Sequence, residues 1–90
     1  MSVKIDIAPY LQPYTNNIEV VEVNGSTVGE CLDDLIAKFP DIEKMLFAQN
    51  GKLHTYVSIH INEGDAYPDE LAKPVNDGDE LYILYIIGGG

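Results

Sequence analysis

The stretch DGDELYILYIIGGG, residues 77–90, decides how this chain folds. It opens with a turn signal, Asp-Gly-Asp, and every position from Leu81 to Ile87 is then apolar. A strand loses the usual apolar–polar alternation when both of its faces are covered, or when it lies centrally against a helix with an aromatic-rich far face. We therefore predict that residues 81–87 form the middle strand of a sheet.

Three glycines follow this strand directly: Gly88, Gly89 and Gly90. Extended, they reach at most about 10 Å. Without side chains they can enter a narrow channel and adopt backbone angles closed to other residues. The carboxylate of Gly90 could then be activated, for example as an acyl-adenylate, and attacked by a sulfur nucleophile. The alternative is a frayed terminus without function.

Upstream, two segments alternate in the manner of half-buried strands or are rich in β-branched residues, 3–7 and 18–23. They would form a hairpin with a long, loose turn that contains Pro9 and Pro13. Residues 56–61 alternate again, and a short edge strand is expected near residues 66–67 after a turn at 62–65.

A helix is expected from Val28 to its stop before Pro40. Thr27 and Glu30 fit a capping box at its start. Its apolar positions fall on one face, which comprises Val28, Leu32, Leu35, Ile36 and Phe39, with Cys31 beside them. A short second helix is possible over residues 42–47. The order ββαβ(β)β with one long helix predicts an α+β domain whose helix covers one face of the sheet.

Charge narrows the range of partners. The chain carries 15 acidic residues against 5 lysines, a formal net charge of −10. Phosphate backbones and anionic membrane surfaces would repel it, so we expect neither nucleic acid nor membrane as a partner. A basic protein partner would be attracted, although the acidity could also serve only solubility.

The compartment is predicted from absences in the sequence. The single cysteine, Cys31, cannot form an internal disulfide. Residues 1–25 hold no signal peptide pattern, and no apolar run reaches the roughly 20 residues that span a bilayer. We therefore expect a cytoplasmic protein.

The side chains predict neither a metal site nor a reactive nucleophile. His54 and His60 lack the converging ligands of a metal site, so we expect no bound metal. Cys31 has no neighbouring cation to lower its pKa and is interpreted as a buried, inert thiol. Asp77 and Asp79 lack the full ligand ladder of a calcium loop and are assigned to the turn. Tyr82 and Tyr85 should lie on opposite faces of the last strand, where either could pack in the core or anchor a partner.

Residues 77–84 followed by Gly89-Gly90, together with the helix start from Thr27 to Leu35, resemble the MoaD/ThiS-type sulfur-carrier proteins. The resemblance covers nearly the whole chain. It implies a ubiquitin-like β-grasp fold, with a mixed sheet of four to five strands and one main helix on one face. The domain would span residues 1–87 and the flexible tail 88–90, with no extension to remove after Gly90. Tyr85 is a departure, because relatives often have proline there, and Gly88 replaces a small residue such as alanine.

The resemblance also implies a reaction cycle in which the carrier supplies no catalytic side chain and binds no cofactor. An E1-like adenylating enzyme would use ATP to activate Gly90. A sulfurtransferase or other sulfur donor would convert it to a thiocarboxylate, and a sulfur-accepting biosynthetic enzyme would take the sulfur.

Residues 51–54, with the strand that follows, look most like carriers of cysteine or homocysteine synthesis. In those systems a pyridoxal-phosphate enzyme makes a cysteine adduct on the tail, and a JAMM-type metallopeptidase then releases the product. Three alternatives remain open: the small subunit of molybdopterin synthase, a ubiquitin-like modifier conjugated through Gly90, and an interaction module whose tail is irrelevant.

Overall fold

The computed structural model describes residues 2–62, 64–67 and 69–85. Within these ranges the strands are β1 (Ser2–Asp6), β2 (Val20–Asn24), β3 (Val57–Ile61), β4 (Gly64–Asp65) and β5 (Glu80–Tyr85). The α-helices are α1 (Val28–Lys38) and α2 (Glu43–Leu46). Three 3-10 helices lie at Pro9–Thr15, Pro40–Ile42 and Glu70–Ala72.

The last strand lies in the middle of a mixed sheet, as predicted. The order over the described residues is β2-β1-β5-β3-β4. β5 runs parallel to β1 and antiparallel to β3, while β1–β2 and β3–β4 are antiparallel. In the described part of β5, Leu81 and Ile83 are buried, while on the opposite face Tyr82 is half-buried and Leu84 is exposed. Its apolar sequence therefore reflects a central strand with an aromatic, partly open far face, the second of the two interpretations.

α1 covers one face of the sheet and closes the core. Its buried residues are Val28, Cys31, Leu32 and Leu35, so the predicted apolar face is confirmed. Ile36 and Phe39 are only partly buried against the core. The sheet contributes the alternate residues of its strands, namely Val3, Ile5, Val21, Val23, Val57, Ile59, Leu81 and Ile83.

The start of α1 is fixed by local hydrogen bonds. The Glu30 amide donates to the Thr27 hydroxyl at 3.2 Å, and the Ser26 amide donates to the Glu30 carboxylate at 2.8 Å. This is the reciprocal capping that the sequence predicts, with the carboxylate reaching one residue further back than in the usual box. The helix ends at Lys38, before Pro40. Its last hydrogen bond is donated by the Phe39 amide to the Leu35 carbonyl. No helix in the described ranges is long and apolar enough to cross a membrane.

The connection between β1 and β2 corrects one prediction. It is not a loose turn, because residues 9–15 form a 3-10 helix in which Leu11 and Thr15 are buried. Pro9 takes a first-turn position, where its fixed φ suits a helix and its missing N–H costs no hydrogen bond. The Thr15 hydroxyl donates to the Ile18 carbonyl at 2.9 Å, and Asn16 ends the helix with φ +54°. Pro9 therefore starts a packed element, and Pro13 lies inside it.

The edge strand was also placed wrongly by the sequence. β4 is Gly64–Asp65, inside the segment predicted as a turn, whereas residues 66–67 lie outside it. Asn62 takes the left-handed conformation, φ +54°, so the chain already reverses there. The first three strands begin or end one or two residues from the predicted bounds. The predicted continuation of the last strand through Ile86 and Ile87 lies outside the described residues.

The turn before β5 is confirmed and tied to the N-terminal strand. Gly78 has φ +89°, a conformation that favours glycine. The Ser2 amide donates to Asp77 Oδ1 at 2.8 Å, and the Asn76 amide donates to Asp79 Oδ2 at 2.8 Å. The carboxylates at this turn are therefore used to hold it, as predicted.

Candidate functional site

The residues predicted to carry the chemistry, Gly88, Gly89 and Gly90, lie outside the described part of the chain. The structure does show the strand that precedes them in the sequence, β5, which is described as far as Tyr85. The candidate site is therefore the end of β5 and the surfaces beside it.

β5 is anchored from both sides. Its first half pairs with β1, from Lys4↔Glu80 to Asp6↔Tyr82. Residues 81–85 pair with β3, from Ile61↔Leu81 to Val57↔Tyr85. The first half of β5 is therefore held by a strand on each side, and the second half is held by β3.

Four rings surround the end of β5 and form what we call the aromatic cluster: Tyr10, His54, Tyr56 and Tyr85. The Tyr85 ring centroid lies 4.3 Å from that of Tyr10 and 4.8 Å from that of Tyr56, both at 58°. His54 stacks on Tyr56 at 4.7 Å and 10°. These are the tilted and stacked arrangements that aromatic pairs favour. His54 Nε2 also lies 3.0 Å from the Lys44 carbonyl oxygen, which ties the cluster to α2.

Two phenols of the cluster, those of Tyr10 and Tyr56, resist ionisation. The pKa of Tyr10 is raised to about 12, first by burial and then by the phenols of Tyr85 and Tyr56. The pKa of Tyr56 is also raised, first by desolvation and then by Tyr85. Within the described residues, the Tyr10 hydroxyl is buried without a hydrogen-bond partner. A negative charge on these rings would be poorly solvated, so the cluster presents no anion at neutral pH.

The face of the sheet opposite α1, which we call the open face, carries apolar side chains in contact with solvent. Val20 is 45% exposed and Leu84 is 41% exposed. By register, Val20 lies opposite Asp6, Asp6 opposite Tyr82, and Tyr82 opposite His60, which forms a row across four strands. Exposed apolar residues on a sheet, set among polar ones, are typical of a surface that binds another protein.

A carboxyl pair lies within the open face. Asp6 is half-buried, and its pKa is raised to about 6, first by burial and then by the neighbouring Glu80 carboxylate. Lys4 acts in the opposite direction but less strongly. Among the described residues, Asp6 Oδ2 is buried without a hydrogen-bond partner. An unsatisfied carboxylate oxygen of this kind costs stability while the face is uncovered.

The remaining candidate side chains fall in different places. Cys31 is fully buried and its pKa is raised, first by burial and then by Glu30, which confirms the interpretation of an inert thiol. His54 belongs to the aromatic cluster, and His60 is half-buried on the open face. No group of three or more possible metal ligands occurs in the ranges that the structure describes.

The profile of the ThiS family matches residues 10–90. The chain belongs to the ThiS family. The sulfur carrier protein CysO of Mycobacterium tuberculosis is 34% identical over 93 residues, which covers all of both chains.

Solved structures of similar proteins agree with this ThiS family assignment. The crystal structure of the BexX/CysO complex of Amycolatopsis orientalis contains a chain with a TM-score of 0.87 and 32% identity, covering 98% of this chain and 99% of that one. The crystal structure of small archaeal modifier protein 1 of Haloferax volcanii has a TM-score of 0.85 and 26% identity over the whole of both chains. The fold is therefore the ubiquitin-like β-grasp that the sequence resemblance implied.

Sequence reasoning missed part of this ThiS family site. It placed Tyr82 and Tyr85 on opposite faces, which the register confirms. It assigned Tyr10 to a loose turn and so did not bring it to the end of β5. The signal was present in the spacing of Pro9 and Pro13, four residues apart, since a proline at a first-turn position favours a helical segment. The exposure of Val20 in β2 and of Leu84 in β5 could not be predicted from the sequence, because most of their neighbours in each strand are also apolar.

Proposed function

We propose that this protein is a sulfur carrier whose working group is the carboxylate of Gly90. The observation that carries the proposal is the arrangement at β5: a strand held on both sides leads directly into a sequence that closes in Gly-Gly-Gly. Membership of the ThiS family and full-length similarity to a protein named as a sulfur carrier support it.

The chemistry requires two steps at the terminal carbon. An oxygen of the Gly90 carboxylate attacks the α-phosphorus of ATP, pyrophosphate leaves, and an acyl-adenylate forms. Hydrosulfide then attacks the acyl carbon, the bond to AMP breaks, and the proton goes to solvent, which leaves a thiocarboxylate. No side chain of the carrier takes part, so an E1-like adenylating enzyme must bind the nucleotide and place the reacting atoms.

The folded domain would contribute recognition. We infer that the open face binds the activating enzyme, because Val20 and Leu84 are exposed there and Leu84 belongs to the strand that precedes the tail. The net charge of −10 favours an enzyme with a basic binding surface and would speed encounter with it.

Similarity to CysO extends the proposal to the pathway. We infer that the acceptor is an enzyme of cysteine or homocysteine synthesis that builds the amino acid on the tail, with release by a JAMM-type metallopeptidase. Incubation of the thiocarboxylate with a candidate acceptor enzyme tests this inference. The expected product is a covalent adduct of the carrier with the amino acid, detectable by intact mass.

Intact-mass analysis tests the central claim. After incubation with an E1-like enzyme, ATP and sulfide, the carrier should gain about 16 Da, because sulfur replaces one oxygen at the free carboxylate. A chain that lacks Gly89 and Gly90 is the control and should keep its mass. An unchanged mass in the full chain, with an enzyme that thiolates a CysO protein under the same conditions, would contradict the proposal.

A second function is favoured by the similarity to small archaeal modifier protein 1, which is 32% identical over 71 residues in Haloferax volcanii. In that role Gly90 would be joined to lysines of other proteins. Digestion of cell extract and mass spectrometry should then reveal branched peptides that carry the glycine remnant on lysine. Their absence from cells that contain the thiocarboxylate would leave the carrier as the only function.

A further inference from the structure

The sheet ends in two different edges over the residues that the structure describes, β4 on one side and β2 on the other. β4 is only Gly64–Asp65, and since hydrogen-bonding directions alternate along a strand, at most one of its residues can bond outward. β2 is Val20–Asn24, contains three valines, and pairs with β1 at every residue without a bulge. It also lacks the lysine and proline that commonly protect edge strands, so β2 is the edge suited to accept a further strand.

The hydrogen bonds at the two ends of β2 show which of its residues face outward. The Ile7 amide donates to the Glu19 carbonyl at 2.8 Å, so residue 19 faces β1. The Asn24 amide instead donates away from β1, to Asp34 Oδ2 at 2.9 Å. Facing and outward residues alternate in an antiparallel ladder. The residues between these ends that direct both their amide and their carbonyl outward are therefore Val20 and Glu22.

This outward stretch is closed at both ends by the domain itself. At one end the Ile18 amide donates to the Thr15 carbonyl at 2.9 Å, and the Thr15 hydroxyl donates to the Ile18 carbonyl at 2.9 Å. At the other end the Asn24 amide is bonded to Asp34, which also forms an ion pair with Lys38 at 2.8 Å. An added strand can therefore exchange a full pair of ladder bonds only with the two residues between, and this fixes its register.

The side chains of the outward stretch specify what could lie beside it. Val20 is 45% exposed, and the Glu22 side chain is exposed in the same row of the open face. A residue added opposite Val20 would contact an apolar side chain, and a residue added opposite Glu22 would meet a carboxylate. Lys4 lies opposite Glu22 on β1, but the two form no ion pair in the described part of the chain. The Glu22 carboxylate is therefore available to a partner.

Charge decides between a second copy of this chain and a different protein. Both charged residues of the segment 18–24, Glu19 and Glu22, are acidic, and the whole chain has a formal net charge of −10. Like charges on neighbouring strands are destabilising, whereas opposite charges stabilise the pair. The same carboxylates consequently oppose pairing of β2 with itself and favour a basic strand.

We propose that the edge of β2 at residues 20–22 binds an extended segment of a partner protein by antiparallel strand addition. The partner places a lysine or arginine opposite Glu22 and an apolar residue, two positions later in its sequence, opposite Val20. Backbone hydrogen bonds supply affinity in this mode, and the side chains supply selectivity. The antiparallel direction is chosen because it is slightly more stable per residue. The inference does not depend on the chemistry at Gly90, so either proposal can fail without the other.

NMR titration with a designed peptide tests strand addition directly. The probe is acetyl-Thr-Lys-Thr-Val-Thr-Val-Thr-amide, whose lysine would lie opposite Glu22 and whose first valine would lie opposite Val20. The amide protons of Val20 and Glu22 gain hydrogen bonds on binding and should move downfield until the site is saturated. Those of Val21 and Val23 already face β1 and should move much less. This alternation distinguishes strand addition from binding to the face of the sheet.

A charge-swapped peptide tests the chemistry of the partner. Glutamate in place of the peptide lysine should weaken binding about three- to tenfold, because an opposite-charge pair becomes a like-charge pair. In Glu22→Gln the two peptides should differ by less than about twofold, since the charge that distinguishes them is gone. Glu43→Gln, the same change at an exposed residue of α2, is the matched control and should keep the full difference. Both substituted residues are exposed, so both variants should fold.

Several outcomes would overturn the proposal. Strand addition is wrong if millimolar peptide produces no saturable shift at Val20 and Glu22, or if the four amides of residues 20–23 shift equally. The basic partner is wrong if wild type binds the lysine and glutamate peptides equally. Sedimentation velocity of the protein alone should show a monomer. A dimer in which the Val20 and Glu22 amides are protected from hydrogen exchange would assign this edge to a second copy instead.

Discussion

Neighbouring residues of β1 and β5 lie on opposite faces of one sheet and in opposite surroundings. Ile5 and Leu81 point into the core under α1 and are fully buried. Asp6 and Tyr82, the next residue in each strand, lie on the open face, where Asp6 has a raised pKa and an unsatisfied oxygen among the described residues. The same two strands thus build one surface that stabilises the fold and one on which a carboxyl group is unfavourably placed.

The difference between the two faces shows how a domain of this size can carry the open face, which we propose as its recognition surface. A 90-residue chain has little stability to spare, and an exposed apolar or strained polar group lowers it further. The face of the sheet that α1 covers must compensate, and its buried residues are mostly aliphatic. Substitutions on the two faces should therefore separate stability from function.

The largest effect on stability is expected on the covered face. Leu32 in α1 is fully buried, so Leu32→Ala should lower the free energy of unfolding by about 3 kcal/mol through lost burial and the cavity left behind. Urea unfolding followed by circular dichroism measures it. Asp33→Ala, the next residue and exposed, is the control and should change stability by less than about 0.5 kcal/mol. Equal effects of the two substitutions would show that α1 does not close the core.

A smaller effect is expected where α1 begins. Thr27→Ala removes the acceptor for the Glu30 amide and should cost about 1 kcal/mol without changing the sheet. Ser26→Ala leaves the Ser26 amide bonded to the Glu30 carboxylate and serves as the control. Thermal unfolding of both variants gives the comparison. No difference between them would mean that the Glu30 carboxylate alone caps the helix.

Much of the covered face could be predicted from the sequence, because its signals are local. The helix over residues 28–38 is predicted by the spacing of its apolar residues, by the capping residues at its start and by the proline after its end. Each of these signals acts within a few residues. The central position of β5 follows from its apolar run. The edge strand β4 was misplaced because it pairs only two residues with β3, too few to leave a pattern.

The open face and the aromatic cluster could not be predicted, because both depend on strand order and register. Tyr10 and Tyr85 are 75 positions apart, and only the central placement of β5 brings them together. Asp6 and Glu80 become neighbours through the parallel β1–β5 pair, which no hairpin signal in the sequence predicts. The glycines were recognised from sequence, and the role predicted for them stays a prediction.

A pH-dependent effect is expected from Asp6 on the open face. Its pKa of about 6 exceeds its ordinary 3.8, so its contribution to stability is fully present below pH 4 and is lost as the pH rises through 6. Asp6→Asn should therefore leave stability nearly unchanged at pH 4 and raise it at pH 7.5 by about 0.5–1 kcal/mol, allowing for solvent screening of a half-buried group.

Asp34 provides a control of opposite sign for this experiment. Its hydrogen bond with Lys38, followed by that from the Asn24 amide, lowers its pKa. Asp34→Asn should therefore destabilise at neutral pH, with an effect that fades below pH 4. Denaturation midpoints of both variants from about pH 2.5 to 7.5 measure the two trends. Parallel trends would show that Asp6 is not strained by its surroundings.

The smallest change in stability and a large change in function are expected together from Val20 and Leu84. Both are over 40% exposed, so the double variant Val20→Ala/Leu84→Ala should alter the free energy of unfolding by less than about 0.5 kcal/mol. If the open face binds the activating enzyme, the KM for the carrier should rise about tenfold, since removal of central apolar contacts weakens an interface by more than 1 kcal/mol. Tyr67→Ala, exposed on another segment, should leave KM unchanged. An unchanged KM in the double variant would show that the enzyme binds a different surface. The unfavourable placement of the Asp6 and Glu80 carboxyl groups would then have no role in binding the enzyme.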